Sequence, residues 1–297
     1  MSNHSVETKL HTLSDGRILA YCEYGDPQGR VLFYAHGSPG SRFEGAMFAQ
    51  KAAEYGFRFI ATDRPGFGQS TFNPERTFLD YPQDISELAD ALGIDKFGVM
   101  GHSGGGAHTA VCGYAIPERL LFNLPLAGYT NFAELPGAGD MLHTKADQLS
   151  VGLSQKHPHL FRFFFDMMAF SAKRMPNTYF KEVAKAGNET DRKIAADPEF
   201  KAHLIADQQE AMQQGGKGPT WDAKIHYLDW GFRLQEIQAK VIVFHGTEDY
   251  FSPFQFGQHL AENIPNCELH VLQGQGHFFV WDHQDLIFKT AVALCNS

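Results

Sequence analysis

Long apolar runs are missing from this 297-residue chain. No stretch of about 18 apolar residues exists, so no bilayer-spanning helix is predicted. The first ten residues, MSNHSVETKL, have neither a basic head nor an apolar stretch, and no secretory signal is expected. Cysteine is scarce. Cys22, Cys112, Cys267 and Cys295 are scattered, and read as reduced thiols of a cytoplasmic protein, not a disulfide framework. Basic residues are outnumbered, 25 Lys and Arg against 34 Asp and Glu, giving a formal net charge of −9. That balance excludes a nucleic-acid footprint, which takes clustered Lys and Arg. No internal repeat or low-complexity tract appears. Apolar residues are abundant, 43 % of the chain with 13 % aromatic, enough for one large α/β domain or a core domain carrying an insertion.

Strand signals come first: Lys9 to Leu13, then the turn Ser14-Asp15-Gly16, then Arg17 to Glu23, and after a second turn the apolar run Val31 to Ala35. A continuous apolar run suits a strand buried on both faces. Alternation follows: a helix near Phe43 to Tyr55, a strand Phe57 to Ala61, a helix near Leu79 to Leu92, a strand near Phe97 to Met100, a helix to about Ala115, and a strand Leu120 to Leu126. Strands alternating with helices predict an α/β fold with a mainly parallel, doubly wound sheet. Between Tyr129 and Trp230 only helical patterns occur, and afterwards the alternation resumes. The expected division is a core of residues 1–128 and 231–297, interrupted by a helical cap insertion at 129–230.

Seven residues with little or no side chain crowd around His102 and Ser103 in GVMGHSGGGAHTAV, between an apparent strand and an apparent helix. Gly101-His102-Ser103-Gly104-Gly105 fits G-x-S-x-G in the strand–turn–helix setting that a nucleophile elbow needs. No Lys-Ser or Lys-Thr follows the glycines, so a phosphate cradle is not the reading. A serine hydroxyl attacks only when a base takes its proton and a third group orients the base. Asp249 follows the strand Val241 to Phe244, and His277 follows Glu268 to Leu272, in the order serine, acid, histidine. Asp249 is preferred to its neighbour Glu248; the segment after the preceding strand, Gly128-Tyr129-Thr130-Asn131, holds no carboxylate. Backbone N–H groups of Ser38 and Gly104 are the expected oxyanion donors, because Pro39 has none.

Together these segments resemble the α/β-hydrolase fold enzymes. His36-Gly37-Ser38-Pro39-Gly40 is similar to the oxyanion loop, Asp63 to Ser70 (DRPGFGQS) to the D-R-P-G-x-G-x-S segment, and Gly101 to Gly105 to the elbow. Trp230-Gly231-Phe232 and His245 to Asp249 resemble the return from the cap into the acid loop, and Gly276-His277 the base loop. The resemblance implies a capped serine hydrolase without metal or cofactor, acting through an acyl-enzyme on a small-molecule substrate, an apolar acyl compound. A small or medium carboxylic ester is the first expectation. Lactone, thioester, amide or aminopeptide, and C–C bond hydrolysis remain open on the same triad, as do a lyase, a cofactor-free oxygenase and a ligand-binding protein.

Around this constellation, His36 is read as ordering its own loop, and Asp63 and Arg64 as tying their turn. His102 is read as packing or lining the pocket. His157-Pro158-His159 lacks partnered Cys or acids and is not read as a metal site. The run Leu160 to Met168 could face a membrane, but its helical apolar spacing is read as a cap helix over the site. Phe161, Phe164, Phe165 and Met168 are then candidates for an apolar substrate pocket.

Overall fold

Eight strands form one sheet in the structure, a computed structural model that describes residues 6–296. The expectation about a secretory signal rests in part on Met1 to Ser5, which lie outside the described residues. The strands are β1 (Lys9–Thr12), β2 (Ile18–Gly25), β3 (Arg30–Ala35), β4 (Phe57–Thr62), β5 (Phe97–His102), β6 (Leu120–Leu126), β7 (Val241–Gly246) and β8 (Cys267–Leu272). Their order across the sheet is β1-β2-β4-β3-β5-β6-β7-β8. β2 runs antiparallel to β1 and β4, and every other pairing is parallel. This is the α/β-hydrolase arrangement that the motifs suggested. β5 and β7 are buried along their whole length, as strands covered on both faces must be.

Topology places the site. β4 pairs with one edge of β3 and β5 with the other, so the connections leaving β3 and β5 diverge to opposite sides. A crevice opens at such a switch point, beyond the carboxyl ends of the strands. Ala35 pairs with Gly101, so the loop beginning at His36 and the turn carrying Ser103 leave the sheet side by side.

On the sheet faces lie α1 (Ala49–Glu54), α2 (Asp80–Ala91), α3 (Gly104–Ala115) and, late in the chain, α11 (Phe254–Asn263) and α12 (Gln284–Cys295). The single helix expected from Phe43 to Tyr55 is instead a 3₁₀ segment, Arg42–Phe48, followed by α1. A Cβ at Gly45 would stand 2.8 Å from both Ala61 and Tyr24, and the tighter winding turns Arg42 and Glu44 into the interior. Between β6 and β7 come seven helices and, among the described residues, no strand. They are α4 (Ala138–Met141), α5 (Lys145–Lys156), α6 (Pro158–Arg174), α7 (Pro176–Ala186), α8 (Glu189–Ala195), α9 (Pro198–Ala211) and α10 (Lys217–His226). No helix is long and apolar enough to cross a membrane among the described residues. All four cysteines are free thiols.

Candidate active site

Ser103 sits between the end of β5 and the start of α3 with φ 55° and ψ −122°. A side chain other than glycine's is strained there, at a cost of about 1–3 kcal/mol. The neighbouring glycines explain how the strain is held. A Cβ on Gly105 would run into the Ala35 carbonyl, and one on Gly101 into Gly105. Only without those side chains can α3 start against β3 and β5. Ser103 itself is nearly closed off, 8 % exposed. A Cβ on Gly104 would lie 2.9 Å from that of Ser38, so the two residues expected to supply oxyanion N–H groups are neighbours.

Asp249 and His277 meet at the ends of β7 and β8. His277 Nδ1 donates to Asp249 Oδ2 at 2.7 Å, which leaves Nε2 as the ring nitrogen able to take a proton. Asp249 Oδ1 accepts the N–H groups of Phe251 (2.9 Å) and Ser252 (2.8 Å), fixing the carboxylate on its loop. Glu248 turns elsewhere, 3.4 Å from the Asn188 side chain. Burial pulls the His277 pKa down, but the charge and hydrogen bond of Asp249, with the charges of Asp191 and Glu44, outweigh it; the net shift is upward. For Asp249, burial acts upward and the His277 contact downward, with a net lowering.

His102 lies between Ser103 and the His277 loop. It precedes Ser103 in the chain, and its ring lies 4.6 Å from that of His277, centroid to centroid. Its Nε2 donates to the His277 carbonyl at 3.0 Å, and its Nδ1 stands 3.3 Å from Glu44 Oε1. Glu44 was not singled out in the sequence. Its Oε2 accepts the Gly37 N–H at 2.6 Å and its Oε1 the Tyr34 hydroxyl at 2.7 Å. Burial alone would raise its pKa; the bond and charge of His102, with Tyr34 and His36, bring it down to about 2. One buried carboxylate therefore holds the loop after β3 and, through His102, the loop carrying His277. The same β3 loop is pinned from its other side by Arg64, which donates to the carbonyls of His36 and, at 3.0 Å, Gly37. His36 orders its surroundings by bonds to the Gly37 carbonyl and the Arg64 N–H.

The helices between β6 and β7 reach the same place. Asp191, at the start of α8, accepts the Phe278 N–H at 2.7 Å, and Thr190 accepts that of Gly276 at 3.0 Å. Asp207 of α9 accepts both the N–H and the hydroxyl of Ser41. Burial, followed by the Glu44 charge, pushes Asp207 well above the usual carboxylate range. In α10, Asp222 pairs with Arg64 (2.8 Å) and Arg76 (2.6 Å), all three buried. One turn on, His226 Nε2 lies 3.0 Å from the Gly104 carbonyl. Asp222 and His226 are spaced i,i+4, and Asn188 and Asp191 form a capping box. Those were the available signals, but neither pattern says what it will face.

The four pocket candidates on α6 separate. Phe161 is buried, with Phe165 beside it at 5.0 Å and Tyr227 at 6.5 Å between ring centroids. Phe164 does not belong with them: it is about half exposed, on the outward side of the helix. Met168 packs beside Phe67, Ala211 and Met212, where it joins α6 to α9 and to the loop after β4. The reason is that α6 is apolar on two faces, and periodicity alone does not say which one turns inward.

Residues 32–290 match the sequence pattern described as the alpha/beta hydrolase family. The chain is 28 % identical over 236 residues to a 2-hydroxy-6-oxo-6-phenylhexa-2,4-dienoate hydrolase of Burkholderia cepacia, covering 77 % of this chain and 74 % of that protein. It is 27 % identical to a 2-hydroxy-6-oxononadienedioate/2-hydroxy-6-oxononatrienedioate hydrolase of Comamonas testosteroni, with the same coverage. Among solved structures, a hydrolase from Pseudomonas aeruginosa PA01 superimposes with a TM-score of 0.70 at 18 % identity, covering 99 % of this chain and 100 % of that one. The enol-lactonase from Burkholderia xenovorans LB400 also gives 0.70, at 15 % identity, over 97 % of this chain and 100 % of its own. At such identities the structural likeness shows the fold.

Proposed function

The chain belongs to the alpha/beta hydrolase family, and we propose that it cleaves a bond to a carbonyl carbon in a small organic substrate, with Ser103 as nucleophile. His277 Nε2 takes the serine proton as Oγ attacks, Asp249 stabilises the imidazolium, and the N–H groups of Ser38 and Gly104 receive the oxyanion. His277 then protonates the leaving group. Water, deprotonated by the same nitrogen, frees the acid from the acyl-enzyme. The observation that carries this reading is the buried 2.7 Å bond between His277 and Asp249, with the His277 ring against that of His102, which precedes a serine held at φ 55°. The helices of residues 129–230 are proposed to serve as a cap, on the strength of their bonds to Gly104 and to the His277 loop.

The relatives favour a particular bond. A 2-hydroxy-6-oxo-dienoate contains no ester or amide, so hydrolysis at its C6 ketone must break a bond to carbon. The electron pair left on C5 needs an oxo group at C2 to delocalise into, which requires a proton to move from the 2-hydroxyl to C5 first. Cleavage of that C–C bond is the proposed activity. A neutral carboxylic ester or lactone is the second reading, and one observation favours it. Arg42, Arg64 and Arg76, buried around the β3 loop and α10, are each already paired with carboxylates, so none is uncommitted for a substrate carboxylate. Assay of a 2-hydroxy-6-oxo-dienoate beside p-nitrophenyl butyrate, with wild type and Ser103→Ala, separates them. Turnover of the dienoate alone supports the first and of the ester alone the second; turnover of both unchanged in Ser103→Ala rejects the serine.

A further inference from the structure

Helix α6 buries Phe161, Ala169 and Ala172, yet its other side is apolar as well. Leu160, Phe163, Phe164, Met167 and Phe170 recur at helical spacing and are about half exposed, Phe163 reaching 56 %. At 3.6 residues per turn these five fall within an arc of about 120°. A helix that is apolar on two faces ordinarily buries both, and a contiguous apolar surface marks a contact face. The charge around it differs from the rest of the molecule. From Lys145 to Lys185, across α5 to α7, seven Lys or Arg stand against three Asp or Glu, a net +4 within a chain of net −9. Lys156, Lys173 and Arg174, at the ends of α5 and α6, are all exposed.

We propose that the outer face of α6 docks on an anionic lipid surface, with its phenylalanines entering the headgroup layer and the flanking cations meeting the lipid phosphates. Aromatic and aliphatic side chains on one face with bordering Lys and Arg are what an interfacial helix needs. A second copy of the chain fits less well, because mating this face with itself brings the exposed cations Lys156, Lys173 and Arg174 of one copy toward those of the other. Each Lys or Arg close to an anionic surface strengthens binding about fivefold. Docking also has a route to the site. On its inner side α6 presents Phe161 to Tyr227, the neighbour of His226, which meets the Gly104 carbonyl. A substrate dissolved in lipid would thus be delivered to the helices directly over Ser103.

The test is flotation of the full chain with vesicles of mixed phosphatidylcholine and phosphatidylglycerol, and with phosphatidylcholine alone; it reads binding whether or not the proposed hydrolysis is correct. Binding to the mixed vesicles at low salt is expected, with loss at high salt as the charges are screened. The Phe163→Ser/Phe170→Ser and Lys156→Glu/Arg174→Glu variants should each bind at least about tenfold more weakly, with unchanged melting and unchanged turnover of a water-soluble substrate. Failure to float, or equal flotation by the variants, overturns the proposal. So does a dimer in sedimentation equilibrium that Phe163→Ser/Phe170→Ser abolishes in a protein that ignores vesicles.

Discussion

The proposed nucleophile and base would act as one unit, so Ser103 and His277 should fail together. Ser103→Ala and His277→Ala are each expected to lower kcat by about 10³-fold or more, and the double variant to lose little further. Steady-state kinetics of the three variants on one substrate decide this. The pH profile carries a second expectation. As the proposed base, His277 must be neutral to act, and its pKa is raised above 6.5, so activity should fall as pH drops, with a midpoint above 6.5. Asp249→Asn removes the main upward influence and should move that midpoint down while lowering kcat. A third concerns Glu44. Glu44→Gln keeps an acceptor for the Gly37 N–H but gives up the charge, and kcat/KM should fall about ten- to a hundredfold in a folded enzyme. Its depressed pKa means that the stability it contributes is complete above pH 4.5 and is lost as pH falls through about 2. The stability gap between wild type and Glu44→Gln should therefore close on acidification below pH 4.5, as read by urea titrations at a series of pH values.

Among the elements, the parallel strands were legible because β3, β5 and β7 are short, largely apolar runs, and burial on both faces demands just that composition. Motifs at their ends located Ser103, Asp249 and His277 for the same reason: a side chain leaving a strand end has its direction set by the sheet. Charged clusters were not legible. Arg64 and Asp222 are 158 residues apart, and nothing local in either segment names the other. The 3₁₀ turn at Arg42–Phe48 escaped as well, since apolar spacing does not register that Gly45 must press against Tyr24 and Ala61. Asp222 supplies the test at this scale. Asp222→Asn would leave Arg64 and Arg76 as buried cations without their carboxylate, a change that costs about 3–5 kcal/mol. Chemical denaturation should show that loss, while a surface variant such as Glu189→Gln leaves stability unchanged.

For the molecule as a whole, one sheet topology and one layer of helices enclose the serine. The β3/β5 switch point supplies the position, the glycines admit the strained turn, and Glu44, Asp191 and His226 tie the loops to the helices above. The alternation of strand and helix patterns foretold the sheet, but not that the helices of residues 129–230 would share buried charges with it. The most direct measurement is intact-mass and peptide mapping after reaction with a fluorophosphonate. A single adduct on Ser103 is expected, formed far more slowly in His277→Ala and absent in Ser103→Ala. An active preparation that gains no adduct, or gains it on another residue, would contradict it.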